Sequence, residues 1–275
     1  MLHTPRSALF VPGDRPDRFD KALAAGADVA LIDLEDAVAP PAKDAARESV
    51  AQWLQADKPV VVRINALGTP WFEADLALLR LPGVAGVMLP KAEDAAAILR
   101  LREAAGRELP VIPLIETAAG FDAAREVATA PGVRCLAFGT VDFQLDLGMD
   151  DEGDGLLPFR MQLVLVSRLA GIAPPLDGVS TAIDAPDELL AQARRARRLG
   201  FGGKLCIHPR QVGHCNAAFS PSDAELDWAR RVLAASARAG GAAVAVDGKM
   251  VDRPILLQAE RLLRAGGQLP EPAPK

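Results

Sequence analysis

Tyrosine is absent from the 275 residues, and aromatic side chains make up only 4% of them. Stacking platforms for bases are therefore scarce, and a net charge of -5 with a pI near 5.3 leaves no basic footprint for nucleic acid. Cysteine is equally thin. Cys135, Cys206 and Cys215 form no C-x-x-C pair, and so sparse and odd a set excludes a disulfide framework and suits a reducing compartment. The three histidines, His3, His208 and His214, are too scattered to suggest zinc. Long apolar runs are missing too: the N-terminal MLHTPRSALFVPG is interrupted by Pro12 and Gly13, and no window approaches bilayer length. A soluble cytoplasmic protein with no membrane partner is expected.

What is present is a rhythm. Short Val, Ile and Leu-rich runs at 7–11, 29–34, 59–65, 85–91, 110–116, 133–140, 175–180 and 204–208 alternate with Ala, Arg and Glu-rich segments of helical character. The helices expected between them cover 15–25, 43–56, 72–79, 95–105, 119–130, 158–170 and 186–199. Repeated strand-helix units of this number predict an α/β fold, a (β/α)8 TIM barrel, whose usual size is about 250 residues. An open doubly wound sheet is the alternative. Residues 1–219 then form the barrel domain, and 220–275 a C-terminal helical extension and lid, with helix to about 239, an extended or loop segment over 242–251 and a last helix over 253–265.

The polar residues fall at one end of those runs. Asp33 and Glu35 end the second, Arg63 and Asn65 the third, Lys91 the fourth, Glu116 the fifth, Thr140 and Asp142 the sixth, Ser180 and Thr181 the seventh, and His208 the eighth. In a barrel those ends converge on the rim where such folds carry their chemistry. Glu116 and Asp142 bring two carboxylates to adjacent strands, a hard-oxygen pair suited to Mg2+, with Mn2+ as the alternative cation. Arg63 closes an apolar strand and suits a carboxylate or a developing oxyanion, paired with Glu35 or Asp36. Gly139, Thr140 and Val141 are placed to offer backbone N–H groups beside the metal. His208 reads as a packing or loop-positioning residue.

Other motifs fail. DDEGDG starts like a calcium loop at Asp150, but Met161 stands where its late Glu belongs; GFGGKL is no phosphate loop, since Arg198 replaces its first Gly and Leu205 its Ser or Thr. RRARRLG, from Arg194 to Gly200, reads as a solvated helix face.

The stretches RSALFVPGDRPDRFDKALAAGAD, LIDLEDAVAPPAKDAAR, VRINALGTPWFEADL, VMLPKAED, PLIETAAG, FGTVDFQLDLG, SRLAGIAPPLDGVS, GFGGKLCIHPRQ and DGKMVDRP resemble, in order, the citrate lyase β-subunit and related CoA-ester lyases of the HpcH/HpaI aldolase superfamily. The resemblance implies a TIM barrel holding Mg2+ through Glu116 and Asp142, with Arg63 at the substrate. It implies cleavage of a 3-hydroxyacyl-CoA thioester to acetyl-CoA, or a related acyl-CoA, and a 2-oxo acid, or the reverse condensation. It places Asp252 on a lid that closes over a neighbouring subunit's site in a homotrimer or hexamer, and suggests substrate contacts at Arg6 and near Lys204. Glu35 and Asp36 would orient Arg63 and metal-bound waters. Lys91 is not expected to form a Schiff base, because a metal already supplies the electrophile. Three alternatives stand beside this reading: a citrate lyase β-subunit acting on an acyl-carrier-linked substrate, a CoA-independent class II pyruvate aldolase, and a non-catalytic barrel subunit.

Overall fold

The computed structural model describes residues 5–151, 153–238 and 244–270. The chain divides into two compact units, Met1–Phe219 and Ser220–Lys275.

In the first unit eight parallel strands close a barrel in sequence order: β1 (Ser7–Pro12), β2 (Val29–Asp33), β3 (Val60–Arg63), β4 (Val84–Leu89), β5 (Val111–Ile115), β6 (Ala137–Phe138), β7 (Leu176–Asp177) and β8 (Gly203–Cys206). Closure is made by β8 on β1, with Ser7 opposite Lys204 and Leu9 opposite Cys206. It needs glycine at 203, because a Cβ there would lie 1.9 Å from the Pro5 carbonyl oxygen. The open sheet is excluded.

Alternation within the strands divides the core in two. Ala8, Leu31, Val61, Met88, Leu114, Ala137, Leu176 and Leu205 fill the barrel interior, while Val60, Val62, Ile32, Leu89 and Cys206 face outward onto the helices. The surrounding helices are α1 (Phe19–Leu23), α2 (Lys43–Trp53), α3 (Phe72–Asp75), α4 (Ala95–Ala105), α5 (Ala118–Asp122), α6 (Ala124–Thr129), α7 (Thr140–Leu147), α8 (Leu157–Leu169), α9 (Pro186–Leu199) and α10 (Pro209–Phe219). α4 and α9 match the sequence expectation to the residue, each being closed by a left-handed glycine, Gly106 and Gly200.

Two expectations need correction. The expected strand 133–140 is a bridge at Val133, a two-residue strand and then the start of α7. Thr140 and Asp142 therefore do not end a strand. They lie in the first turn of a helix, in a VDFQLDL segment whose alternating polarity imitates a strand. The expected helix 119–130 is two short helices, α5 and α6, meeting at Ala123.

The second unit packs α11 (Asp223–Arg238) and α12 (Arg253–Ala265) with a hairpin of β9 (Val244–Val246) and β10 (Lys249–Val251). Leu226, Ala229, Val232, Val251, Ala259 and Leu263 form its core. Asp247 and Gly248 both have positive φ, the two-residue turn that Asp-Gly favours. Of the expected helix to 239 and extended segment 242–251, residues 239 and 242–243 lie outside the described residues. No helix among the described residues is long and apolar enough to cross a membrane.

Candidate active site

Asp33 is the last residue of β2 and shares its inward parity with Leu31, so its carboxylate enters the barrel mouth. There it performs two tasks. It accepts backbone N–H groups from Glu35 at 2.9 Å and Ala37 at 3.0 Å, folding the acidic loop back on itself, and takes Arg63 Nε at 2.7 Å and Nη2 at 2.6 Å in a bidentate pair. Arg63, the last residue of β3, also lies 3.0 Å from Glu35 and 3.8 Å from Asp36, and stacks its guanidinium 4.7 Å from the centre of the Phe10 ring. The cation is thus gripped on three sides, and its charge is further stabilised by the carboxylates around it. The expected pairing with Glu35 and Asp36 is present. Its main partner is Asp33, expected on the rim but not as the residue that pairs with Arg63.

Beneath this loop Lys43 of α2 is buried. Its ammonium donates to the carbonyls of Leu34 and Glu35 at 2.8 Å each and to Asn65 Oδ1 at 2.6 Å, and sits 5.0 Å from the Trp71 ring centre. Asn65 in turn donates its amide to Asp75, which Arg47 also grips. One buried cation thereby ties the loop after β2 to the loop after β3. Lys43→Met would leave the Leu34 carbonyl and the Asn65 amide oxygen buried without a donor, while the Glu35 carbonyl keeps the Val38 N–H, and is expected to cost about 3 kcal/mol. Urea unfolding measures this, and a loss under about 1 kcal/mol would contradict it.

Glu116 follows β5. Its Oε1 accepts the Lys91 backbone N–H at 2.8 Å, an approach made by the left-handed φ of 44° at Lys91, which a non-glycine residue adopts at a cost of order 1–2 kcal/mol. Lys91 serves through its backbone, and its side chain is exposed. Gly139 packs against the same carboxylate: a Cβ there would stand 2.5 Å from Glu116 Cβ and 2.6 Å from Oε2. Its N–H is already donated to Ile115 O at 2.9 Å. Gly139 therefore supplies space and not the expected N–H. Thr140, Val141 and Asp142 form the first turn of α7, whose backbone N–H groups are not consumed by the helix itself.

A cavity of about 420 Å3 opens over the barrel mouth, with Leu114 and Leu205 among the residues at its base and Asp33, Asp36, Arg63, Glu116, Thr140 and Asp142 among those on its walls. The structure thus brings together Arg63, Asp36, Glu116, Gly139, Thr140, Val141 and Asp142. Glu35 touches Arg63 from behind. Two expected substrate contacts are not brought there. Arg6 precedes β1, at the opposite end of the barrel, where Asp28 holds it at 2.8 Å. Lys204 has the outward parity in β8, so it lies between strands and helices, 3.3 Å from Asp177, which also pairs with Arg160 at 2.9 Å. Asp252 belongs to the second unit, where its carboxylate accepts the Ile255 N–H as the N-cap of α12.

Burial pushes Glu35 up to about 7, against the pull of Arg63. Burial also pushes Glu116 up to about 8, with the charges of Glu35 and Asp142 adding to it, and raises Asp142, with Asp36 adding. Five carboxyl groups surround one guanidinium, and three of them resist ionising. Such a rim lacks positive charge, which a divalent cation would supply. Among the described residues no three His, Cys, Asp or Glu side chains are placed to hold a metal ion together, so Glu116 and Asp142 would hold the cation with water or substrate oxygens completing its shell, as suits Mg2+.

Carboxyls raised in the fold favour the protonated native state, so their contribution to metal-free stability is complete below their ordinary pKa. It is lost as pH rises through about 7 and about 8. Cation binding must expel those protons. The rise in Tm on adding Mg2+ is expected to be small near pH 6 and to grow to a plateau above pH 8. A rise independent of pH would contradict this account.

The sequence model of the HpcH/HpaI aldolase/citrate lyase family matches residues 6–209. A citrate lyase subunit beta-like protein of Deinococcus radiodurans is 40% identical, covering 94% of this chain and 96% of its own. Two proteins of Cereibacter sphaeroides are named (3S)-malyl-CoA thioesterase, 35% identical over 95% and 94% of the two chains, and L-malyl-CoA/beta-methylmalyl-CoA lyase, 36% identical over 94% and 93%. The crystal structure of CitE from Mycobacterium tuberculosis in complex with magnesium, acetoacetate and coenzyme A superposes with a TM-score of 0.85 at 40% identity, covering 96% and 98%.

Proposed function

Because the chain belongs to the HpcH/HpaI aldolase/citrate lyase family, we propose that it is a Mg2+-dependent carbon-carbon lyase. Its substrate would be a 3-hydroxyacyl-CoA thioester of the malyl-, citramalyl- or citryl-CoA type, cleaved to acetyl-CoA, or a related acyl-CoA, and a 2-oxo acid, or formed from them. The observation that carries the reading is the gathering of Glu116 and Asp142 with Arg63 around one cavity.

Mg2+ held by Glu116 and Asp142 would supply Lewis-acid charge to the oxygen that becomes the product carbonyl. The chain's own groups do the rest. Cleavage releases the hydroxyl proton to solvent, breaks the carbon-carbon bond and leaves its electron pair on the thioester as an enolate, which then takes a proton. Arg63 donates to the oxygen on which charge develops, held in place by Asp33, Glu35 and Asp36. The first-turn N–H groups of Thr140 and Val141 face a substrate carboxylate. Asp252 gives the enolate its proton and removes it in the condensation direction; this role rests on the family resemblance. Asp252→Ala is expected to leave Mg2+ binding unchanged and lower kcat by about 10²–10⁴-fold. Near-normal kcat in that variant would remove Asp252 from the mechanism.

A second cavity of about 380 Å3 shares Phe10, Pro12 and Ile207 with the first and adds Arg18, Lys21 and His208. Its basic side chains support a phosphate-bearing CoA over a carrier-linked substrate. Discrimination is direct: the CoA ester, the free hydroxy acid and a truncated pantetheine thioester are each offered with Mg2+. The CoA ester is expected to turn over with the lowest KM and the free acid not at all. Cleavage of the free acid at a comparable rate would make this a CoA-independent aldolase, and no turnover with metal bound would make it a silent barrel.

The family resemblance also points to a trimer or hexamer. On α8, Met161, Leu165 and Leu169 are exposed at four-residue spacing, and Leu145 of α7 is 80% exposed, which supports burial against another copy. Three unpaired, buried cysteines suit a cytoplasmic setting.

A further inference from the structure

Far from the catalytic rim, at the N-terminal ends of the strands, a cavity of about 250 Å3 lies between the last turn of α4 and the segments entering β5 and β6. Two arginines line it, Arg102 from α4 and Arg134 from the approach to β6. Among the described residues neither guanidinium has a hydrogen bond or an ion pair. In Arg134 this extends to a buried atom, since its Nε is shielded from solvent without an acceptor. Burying a donor of a charged group without a partner is costly, and native structures rarely keep one without reason.

The frame around these side chains is rigid. Val111 donates its N–H to Gly132 O, Arg134 donates to Val111 O, and Ala173 donates to Arg134 O, at 2.9, 2.9 and 3.1 Å. Gly132, at φ 91°, leaves room for the Arg102 side chain, whose Cδ and Nε would stand 3.0 and 3.2 Å from a Cβ there. Glu108 is the one acidic residue on the wall. It is exposed and pairs with neither arginine, so the three side chains leave a net positive charge.

We infer that Arg102 and Arg134 form an anion site at the closed end of the barrel, and that its ligand is a phosphate group, free or carried on a small ester. Two forked guanidiniums match several oxygens of one tetrahedral dianion, whereas a monocarboxylate would satisfy one of them. The cavity has space beyond the phosphate itself, so an organic portion can be accommodated toward Leu109 and Pro110. Nothing in this site depends on the proposed lyase reaction.

The test titrates the full-length protein with inorganic phosphate and with glycerol 3-phosphate, following binding calorimetrically and through Tm. Saturable phosphate binding at millimolar concentrations is expected, weakened about tenfold or more in Arg102→Gln and in Arg134→Gln, the loss of one charge-assisted pair. Lys21→Gln, on the opposite rim, is expected to leave it unchanged, and turnover measured without phosphate is expected to be unchanged in Arg102→Gln. Tighter binding of glycerol 3-phosphate assigns the site to a phosphate ester; equal or weaker binding assigns it to free phosphate. Phosphate binding that survives both arginine substitutions, or is lost only with Lys21→Gln, overturns the inference, as does the absence of saturable binding. Arg102 lies on the helix surface, so its variant carries the test should Arg134→Gln fold poorly.

Discussion

Glu116→Gln is expected to keep the fold and lose Mg2+-dependent turnover by about a thousandfold or more. The amide preserves the shape of the side chain and an acceptor for the Lys91 N–H, so the turn that holds it stays intact. What disappears is one of two carboxylates available to a divalent cation, worth several kcal/mol of charge stabilisation, and each 1.4 kcal/mol is about tenfold in rate. The neutral variant also relieves a buried group pushed up to about 8. Metal-free Glu116→Gln should therefore unfold at or above the wild-type temperature at pH 8, with Mg2+ no longer raising it. Loss of the fold would mean that this carboxylate is structural. A normal rate would mean that the site lies elsewhere. Asp142→Asn is expected to behave alike, with a smaller gain in metal-free stability because Asp142 is less buried than Glu116.

Arg63→Met carries the second large effect, and it strikes stability as well as rate. Asp33 and Glu35 are both buried against Arg63, and removing one partner of a buried ion pair costs about 3–5 kcal/mol because the other is left uncompensated. Turnover is expected to fall about 10²–10³-fold on the scale of a lost oxyanion donor. Two companions separate the parts. Arg63→Lys restores the charge without the planar fork, so it should recover much of the stability and little of the rate. Arg63→Met combined with Asp33→Asn removes both members of the bidentate pair and should recover stability with no rate at all. If Arg63→Lys recovered rate and stability together, the guanidinium would be a structural counterion and nothing more.

Much of this site is legible in the sequence. Strand ends carry a parity and a direction, so Arg63 and Glu116 fall on one rim from alternation, and Asp142, which lies on a helix, only from the barrel's one-sided placement of polar groups. What alternation cannot convey is which neighbour a side chain chooses. Asp33, Glu35 and Asp36 look alike as a run of acids, yet only Asp33 meets an edge of the guanidinium with both carboxylate oxygens, through Nε and Nη2, while Nη1 faces Glu35 and Asp36. Gly139 shows the same gap in another form: its place in the site is readable, but its task, making room for Glu116, depends on a distance across two strands. Arg6 and Lys204 fail for a simpler reason. A cation beside a strand says nothing of which end or face it occupies until the register is known, and both are taken by local carboxylates, Asp28 and Asp177. The start of α7 is hidden because Thr140–Leu147 alternates like a strand, while its ending at Gly148, in the left-handed conformation, is what a helix requires.

Whether Glu116, Asp142 and Arg63 form a Mg2+-dependent site for cleaving a CoA ester is tested most directly by identifying the products formed from malyl-, citramalyl- and citryl-CoA with Mg2+ and with EDTA. Acetyl-CoA and a 2-oxo acid released from one of them, only with Mg2+, is the predicted result. Cleavage that proceeds equally in EDTA, or Mg2+-dependent release of free CoA and the intact hydroxy acid without acetyl-CoA, would contradict it, the latter because hydrolysis of the thioester breaks a different bond.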